Sequence, residues 1–535
     1  MRRFRFTRSP RRTLPLAGVV LAVLAVAGLW GGHAQAQSRE ETLIIARNID
    51  DMVTNDPSRT YEWTSQILDQ AAYDTLVTVE PPDVSKIQPK LATKWELSPD
   101  GMTYTFHLRP GVKFASGNSL TAHDVKFSFM RLKNLKDNPA FFMDDVKDVV
   151  VVNDTTVKIV LSAPNASFLA ALAAVPTGAI DSKTVMAHAG TDAENAKDVD
   201  KATEWLNQNS AGSGPYVLKG WTKSVEAIME RNPHYWGPRP KFARIVFRQV
   251  KSGSTQREML ERGDVDVAMD FDPDLAAAVK GNPKIKVVEG LTMNQVYLGV
   301  TASKENSKEL ADKRVRQAIS YAVDYDGIIN GLLRGAGERP PGMIPLGLLG
   351  VDKAMARKQD VNKAKALLRE AGYPNGFTTK LTFYQGLLGA PADAVAAKVQ
   401  SDLAAVGIRA TLDPKERTVA FSEYRGGKSV MILSGWSPDY LDPDPYADAF
   451  YKTGGIVPKR VHWENARATD LTLTARKEQD PAKRAALYRE IQLIGLDEVP
   501  HVMLIQPKNY VGVSPSIKGY VIHPIWFVSL QHLSR

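Results

Sequence analysis

The segment Met431-Ile-Leu-Ser-Gly-Trp-Ser-Pro-Asp-Tyr440 holds the residues best suited to chemistry, because an apolar strand runs directly into small residues, an aromatic and an acid. Gly435 removes a side chain where a ligand backbone could approach, Trp436 supplies a flat apolar wall, and Asp439 can pair with an ammonium. That is the chemistry of binding. The same residues would equally build a tight turn, with Asp439 capping the bend at Pro438 and Trp436 turned into the core.

Other chemistries find less support. Cysteine is absent, which removes disulfides, thiolate metal sites, a thiol nucleophile and an N-terminal lipid anchor on cysteine. There is no Gly-x-Ser-x-Gly elbow and no glycine-rich dinucleotide fingerprint, and Gly212-Ser-Gly-Pro-Tyr216 lacks the Lys-Ser/Thr of a phosphate loop, so it reads as a turn entering a strand. The histidines show no zinc-enzyme spacing, and no metal or cofactor is expected. Two carboxylates placed as in a glycosidase are compatible with a chain this rich in Asp and Glu, but nothing singles out a pair, and no catalytic residue is assigned.

The elements that must position these residues are legible in places. A strand ending near Leu97, the turn Ser98-Pro-Asp-Gly101, and Tyr104, Phe106 and Leu108 alternating with polar residues predict a hairpin. Thr121 and Asp124 form a capping pair for a helix that buries Val125, Phe129 and Leu132. A helix from about Asp312 should bury Val315, Ile319, Ala322 and Val323, and one from Asp360 should bury Ala364, Leu367, Leu368 and Ala371 before Gly372 and Pro374 stop it. A strand at Leu381–Tyr384, a helix over Ala394–Val406 and a strand at Ile408–Leu412 predict a βαβ unit in a mainly parallel sheet. The whole reads as a compact α/β protein with two differently built lobes.

The first 36 residues carry six arginines and no acid, an apolar run of 14 residues from Leu16 to Leu29, and Ala34-Gln-Ala36. This is the pattern of a cleaved signal peptide, and the run is shorter than the ~20 residues of a membrane-spanning helix. Arg11-Arg12 leaves the twin-arginine route open beside the general one. Removal of the segment lowers the formal charge from +9 to +3, so the basic character belongs mostly to the leader and nucleic-acid binding loses its main support.

The stretch Pro89-Lys-Leu-Ala-Thr-Lys-Trp95, Ser98 to Phe114 and Leu120-Thr-Ala-His-Asp-Val-Lys-Phe127 resembles the signature of the family-5 extracellular solute-binding proteins of bacterial ABC importers, which include dipeptide- and oligopeptide-binding proteins. Gly212–Tyr216 with Arg231-Asn-Pro-His-Tyr-Trp236, Asp264-Val-Asp266, Asp312–Ala318 and Trp436–Tyr440 with Asp442-Pro443 follow in the family's order. The resemblance implies a type II two-lobe periplasmic-binding fold: lobe I over 37–291 with an inserted subdomain at about 76–205, lobe II over 292–502, and a return to lobe I over 503–535. Crossings are expected near Thr292–Val300 and Val499–Gln506, and the aromatics of the signature are expected in the core of the inserted subdomain.

It further implies an exported periplasmic monomer without enzymatic activity. Such a protein captures a peptide or related amine-bearing solute and delivers it to a membrane permease and its ATPase; an opine, a sugar or a nickel chelate, or a hydrolase on the same fold, are the alternatives. By the same resemblance Asp439 holds the ligand amine, backbone groups of Ser434, Gly435, Trp436 and Ser437 pair with the ligand as an added strand would, and Thr60 and Tyr61 line the cleft from lobe I. Many dipeptide-binding relatives carry disulfides; this chain has none.

Overall fold

The computed structural model describes residues 38–535 apart from 82, 85, 388, 389 and 527, and the expected signal peptide lies outside the described residues. Ten strands follow one another in the main sheet in the order 408–414, 377–383, 431–436, 295–300, 501–513, 267–271, 42–47, 244–249, 226–231 and 216–222. At its centre the long strand His501–Val513 pairs antiparallel with Gln295–Val300 through residues 501–505. Through residues 508–513 it pairs with Lys286–Leu291, and also with Val267–Phe271. Pro507 sits between the two stretches, where it can donate no ladder hydrogen bond.

At one end of this sheet, Phe377–Phe383 runs parallel to Ile408–Pro414 across the helix Ala392–Ala404, the βαβ unit expected from the pattern. The strand begins four residues earlier than read from sequence, because Phe377 joins the ladder opposite Ile408. In the helix Val361–Glu370, Ala364 and Leu368 are buried, while Leu367 and the following Ala371 are only partly covered, so its apolar stripe is narrower than expected.

A second sheet is antiparallel, with strands in the order 92–97, 103–108, 156–161 and 146–153. The hairpin turns through Gly101 at φ +71°, and Tyr104, Phe106 and Leu108 are buried in a core shared with Val125, Phe129 and Leu132 of the helix Ala122–Leu135. Thr121 and Asp124 close the capping box on that helix. Burying such a Phe or Leu side chain contributes about 1.5–3 kcal/mol, which is why this segment's pattern is so regular.

The glycines of the 212–216 turn have a packing reason. A Cβ at Gly212 would come within 2.0 Å of the Ala72 carbonyl oxygen, and one at Gly214 within 2.6 Å of the Ala71 carbonyl oxygen. The turn thus lies directly against the end of the helix Trp63–Ala72 before the chain enters the strand Tyr216–Thr222. Among the described residues no helix is long and apolar enough to cross a membrane.

Candidate ligand-binding cavity

The strand Met431–Trp436 pairs along its whole length with Gln295–Val300 but meets Phe377–Phe383 only at Met431 and Ile432. Its last residues therefore leave the sheet with one side free of strand partners, and the chain then loops through Ser437–Pro443 into the helix Asp444–Tyr451. A cavity of about 760 Å³ opens at this point. Gly435, Trp436, Ser437 and Asp439 line it, together with Tyr61 from the other end of the sequence.

Thr60 is placed differently from the expectation, whereas the part expected of Ser434 belongs to its backbone and not to its side chain. Thr60 is fully buried and its hydroxyl donates to the Asp56 carbonyl at 2.9 Å, so it shapes the bend before Tyr61 and does not face the cavity. Ser434 is also fully buried; its position in the ladder opposite Tyr297 turns its side chain beneath the wall, with Oγ 3.5 Å from Tyr384 Oη. Asp442, the acid next along the chain, is held by Arg484 through two hydrogen bonds of 2.7 and 2.8 Å and does not line the cavity.

Asp439 accepts a 2.5 Å hydrogen bond from Tyr61 Oη, a contact between residues 378 apart in sequence. Burial pushes its carboxyl up to about 6, and the Tyr61 hydrogen bond offsets only part of that rise. Burial and the neighbouring Asp439 charge together push the Tyr61 phenol well above its usual range. No basic side chain pairs with Asp439 among the described residues. A cation entering the cavity would find there a carboxylate whose charge is otherwise poorly compensated.

The walls are aromatic. Trp436 meets Phe450 edge to face at 5.2 Å, and its indole Nε1 has no hydrogen-bond partner among the described residues. Tyr61 meets Phe141 edge to face at 6.3 Å, and Phe141 stacks on Phe142 at 4.4 Å. Phe168 and Tyr440 complete the apolar lining. Such rings bury large apolar area and accept side chains of varied shape.

In the cavity lining Asp444 accepts from Ser167 Oγ at 3.2 Å and Tyr440 Oη at 3.3 Å, while its Oδ1 lacks a partner among the described residues. Burial raises this carboxyl to about 6, against the pull of Arg476. The two basic residues of the lining are already engaged: Arg476 pairs with Asp145 at 2.8 Å and Asp448 at 3.6 Å, and Lys452 pairs with Asp448. Tyr440 and Asp444 stand within or just beyond the segment singled out from sequence. Phe141, Phe142, Phe168, Asp145 and Arg476 come from distant segments with no local signal beyond the adjacent Phe pair.

Residues 86–457 match the family model for the middle region of bacterial extracellular solute-binding proteins, family 5. The chain is 30% identical over 522 residues to the probable D,D-dipeptide-binding periplasmic protein DdpA of Escherichia coli, covering 96% of this chain and 98% of that one. It is 32% identical over 469 residues to the dipeptide-binding protein of the same organism, covering 82% and 85%. Among solved structures it resembles the periplasmic binding protein DppA of Helicobacter pylori in complex with the peptide STSA, at 26% identity and a TM-score of 0.73, over 92% of this chain and 98% of that one. The fold is thus the type II two-lobe arrangement, and the chain belongs to the family-5 bacterial extracellular solute-binding proteins, the solute-capturing components of ABC importers.

Proposed function

We propose that the cavity takes a peptide or a closely related amine-bearing solute and that Asp439 holds its ammonium. The observation that carries this reading is the half-buried Asp439 carboxyl, hydrogen-bonded to Tyr61 and lacking a basic partner among the described residues, in a cavity of peptide size. The free edge of the strand at Gly435 and Trp436 offers backbone groups to an extended ligand, and the aromatic walls accept side chains with little demand on their chemistry. Relatives named for D,D-dipeptides and dipeptides, and a structural neighbour holding the peptide STSA, support the same class.

In this reading residues 1–36 direct export and are removed, so that the mature protein begins at Gln37-Ser38-Arg39 and works in the periplasm as a monomer without altering its ligand. It passes the solute to a membrane permease and ATPase. The test is native mass spectrometry of the protein purified from its own periplasm. An unmodified amine-bearing molecule released with the protein is the expected result; shortened products from a peptide mixture would mean hydrolysis, and a ligand lacking any amine would remove Asp439 from the role assigned to it.

A further inference from the structure

A second, much smaller cavity of about 20 Å³ lies away from the first, lined by Arg339, Arg357, His501 and the end of the helix Pro481–Glu498 with its exit at Val499. It is open on one side and admits a small solvent species such as a water or a monatomic ion. Three features distinguish it from an ordinary packing void.

His501 is 6% exposed, and neither of its ring nitrogens has a hydrogen-bond partner among the described residues. An imidazole stripped of water with no partner is costly unless something in the cavity satisfies it. Arg339 has its Nε buried and unpartnered, with the guanidinium stacked over the Tyr325 ring. Among the described residues Arg357 donates to neutral oxygens alone, the Ser320 hydroxyl and the Leu496 carbonyl.

Neither guanidinium makes an ion pair with a carboxylate among the described residues, and no acid lines the cavity. Asp326, the acid that acts on Arg339 through its field, stays beyond ion-pair distance, and Arg357 repels Arg339. Two like charges and a buried N–H donor thus face one small void. Arg339 and Arg357 are each partly buried, whereas the fully buried Arg131 meets Asp56 and Asp200 and the buried Arg484 meets Asp442.

We propose that this cavity binds a single small inorganic anion of halide size, coordinated by the Arg339 and Arg357 guanidiniums and the N–H of His501. A water would satisfy the hydrogen bonds but leave the two positive charges uncompensated, whereas a halide answers both. The anion would join three segments: the one carrying Arg339, the one carrying Arg357, and the start of the strand His501–Val513. It is independent of the ligand cavity, since none of its lining residues is shared with it.

The experiment uses sodium bromide on the mature protein. Crystals soaked in bromide should give an anomalous difference peak between Arg339 and His501. In solution, bromide and chloride should raise the melting temperature more than gluconate, too large for the void, at equal ionic strength. Arg339→Gln should lose both the peak and the halide-specific rise, with Arg357→Gln as the second variant should the first fail to fold. A water without anomalous signal in the cavity of the parent protein, or equal rises in halide and gluconate, overturns the proposal.

Discussion

Asp439 decides whether the large cavity binds through charge. Removing one partner of a buried, hydrogen-bonded charge pair typically costs ~2–5 kcal/mol, because the other charge is left desolvated. Asp439→Asn should therefore weaken an amine-bearing ligand by roughly 30- to several-thousand-fold, at about 1.4 kcal/mol per decade. An N-acetylated ligand should bind the parent weakly and lose little more in the variant, so calorimetry with both ligands completes a double-mutant cycle; a coupling energy near zero would sink the assignment. The pH dependence has a defined sign. Burial puts the free carboxyl at about 6, and a ligand ammonium favours its charged form, so affinity should be flat above that value. It should fall by about tenfold per unit below it, as binding must then displace a proton. The same shift makes Asp439 a liability to the empty protein. A carboxyl raised from its ordinary 3.8 contributes stability that is present below its unfolded value and lost as pH rises through about 6. Asp439→Asn should accordingly raise the melting temperature at pH 7 while it lowers affinity, whereas a simple turn-capping role would lower the melting temperature and leave affinity nearly alone.

At the scale of elements, the helix Ala122–Leu135 shows how a buried ion pair positions a wall of the site. Arg131 is fully buried and reaches both Asp56 oxygens at 2.8 and 2.7 Å and both Asp200 oxygens at 2.9 Å. Burial alone would raise Asp56, but the Arg131 charge and hydrogen bonds outweigh it and hold the carboxyl below its ordinary value. The network fixes the bend 54–60 that carries Tyr61 into the cavity, since Thr60 is tied to Asp56 by its own backbone and hydroxyl. Asp56→Asn leaves Arg131 buried with half its compensation, and unfolding in urea should show a loss of about 3–5 kcal/mol. A change under about 1 kcal/mol would mean the network is a bystander. None of this was visible in the chain order. The hairpin at Ser98–Gly101 and the capping box at Thr121 were legible because each depends on neighbours within a few residues, and the βαβ unit because each of its elements has its own local periodicity and the three follow directly in the chain. Arg131, Asp56 and Asp200 meet across 69 and 75 positions, and Phe141 and Arg476 reach the cavity from opposite halves, so no local pattern announces them. Thr60 was misplaced for a related reason. Strand period and bend geometry turn alternate residues away from a surface, and a one-residue difference moves a side chain from the cavity to the core.

For the whole molecule the question is how a 760 Å³ cavity fills without remaining open to water. The long strand His501–Val513 belongs to both halves of the main sheet, and its ladder is interrupted at Pro507, where Thr292 donates its backbone N–H to the Pro507 carbonyl at 3.1 Å. Gln506 fastens the same spot, donating to the Thr292 and Leu346 carbonyls and accepting from the Leu346 amide. A proline that lacks a donor and holds its φ fixed leaves the strands on either side coupled by few hydrogen bonds, which is where a sheet can bend with least loss. Tyr61 and Asp439 approach the cavity from opposite ends of the sequence and already touch, so ligand binding must insert an ammonium beside that contact and draw the same two segments around it. The expected outcome is a rigid rotation of two bodies about 292–300 and 501–507, with a smaller radius of gyration in small-angle scattering at saturating ligand and an unchanged far-ultraviolet circular dichroism spectrum. Gln506→Gly, which removes the side-chain fastening while leaving the cavity intact, should widen the distribution of shapes in the empty protein and leave the ligand-bound radius nearly unchanged. If the radius does not respond to ligand in either protein, the cavity is preformed and rigid, and access must come through motion of the Ser437–Pro443 loop alone.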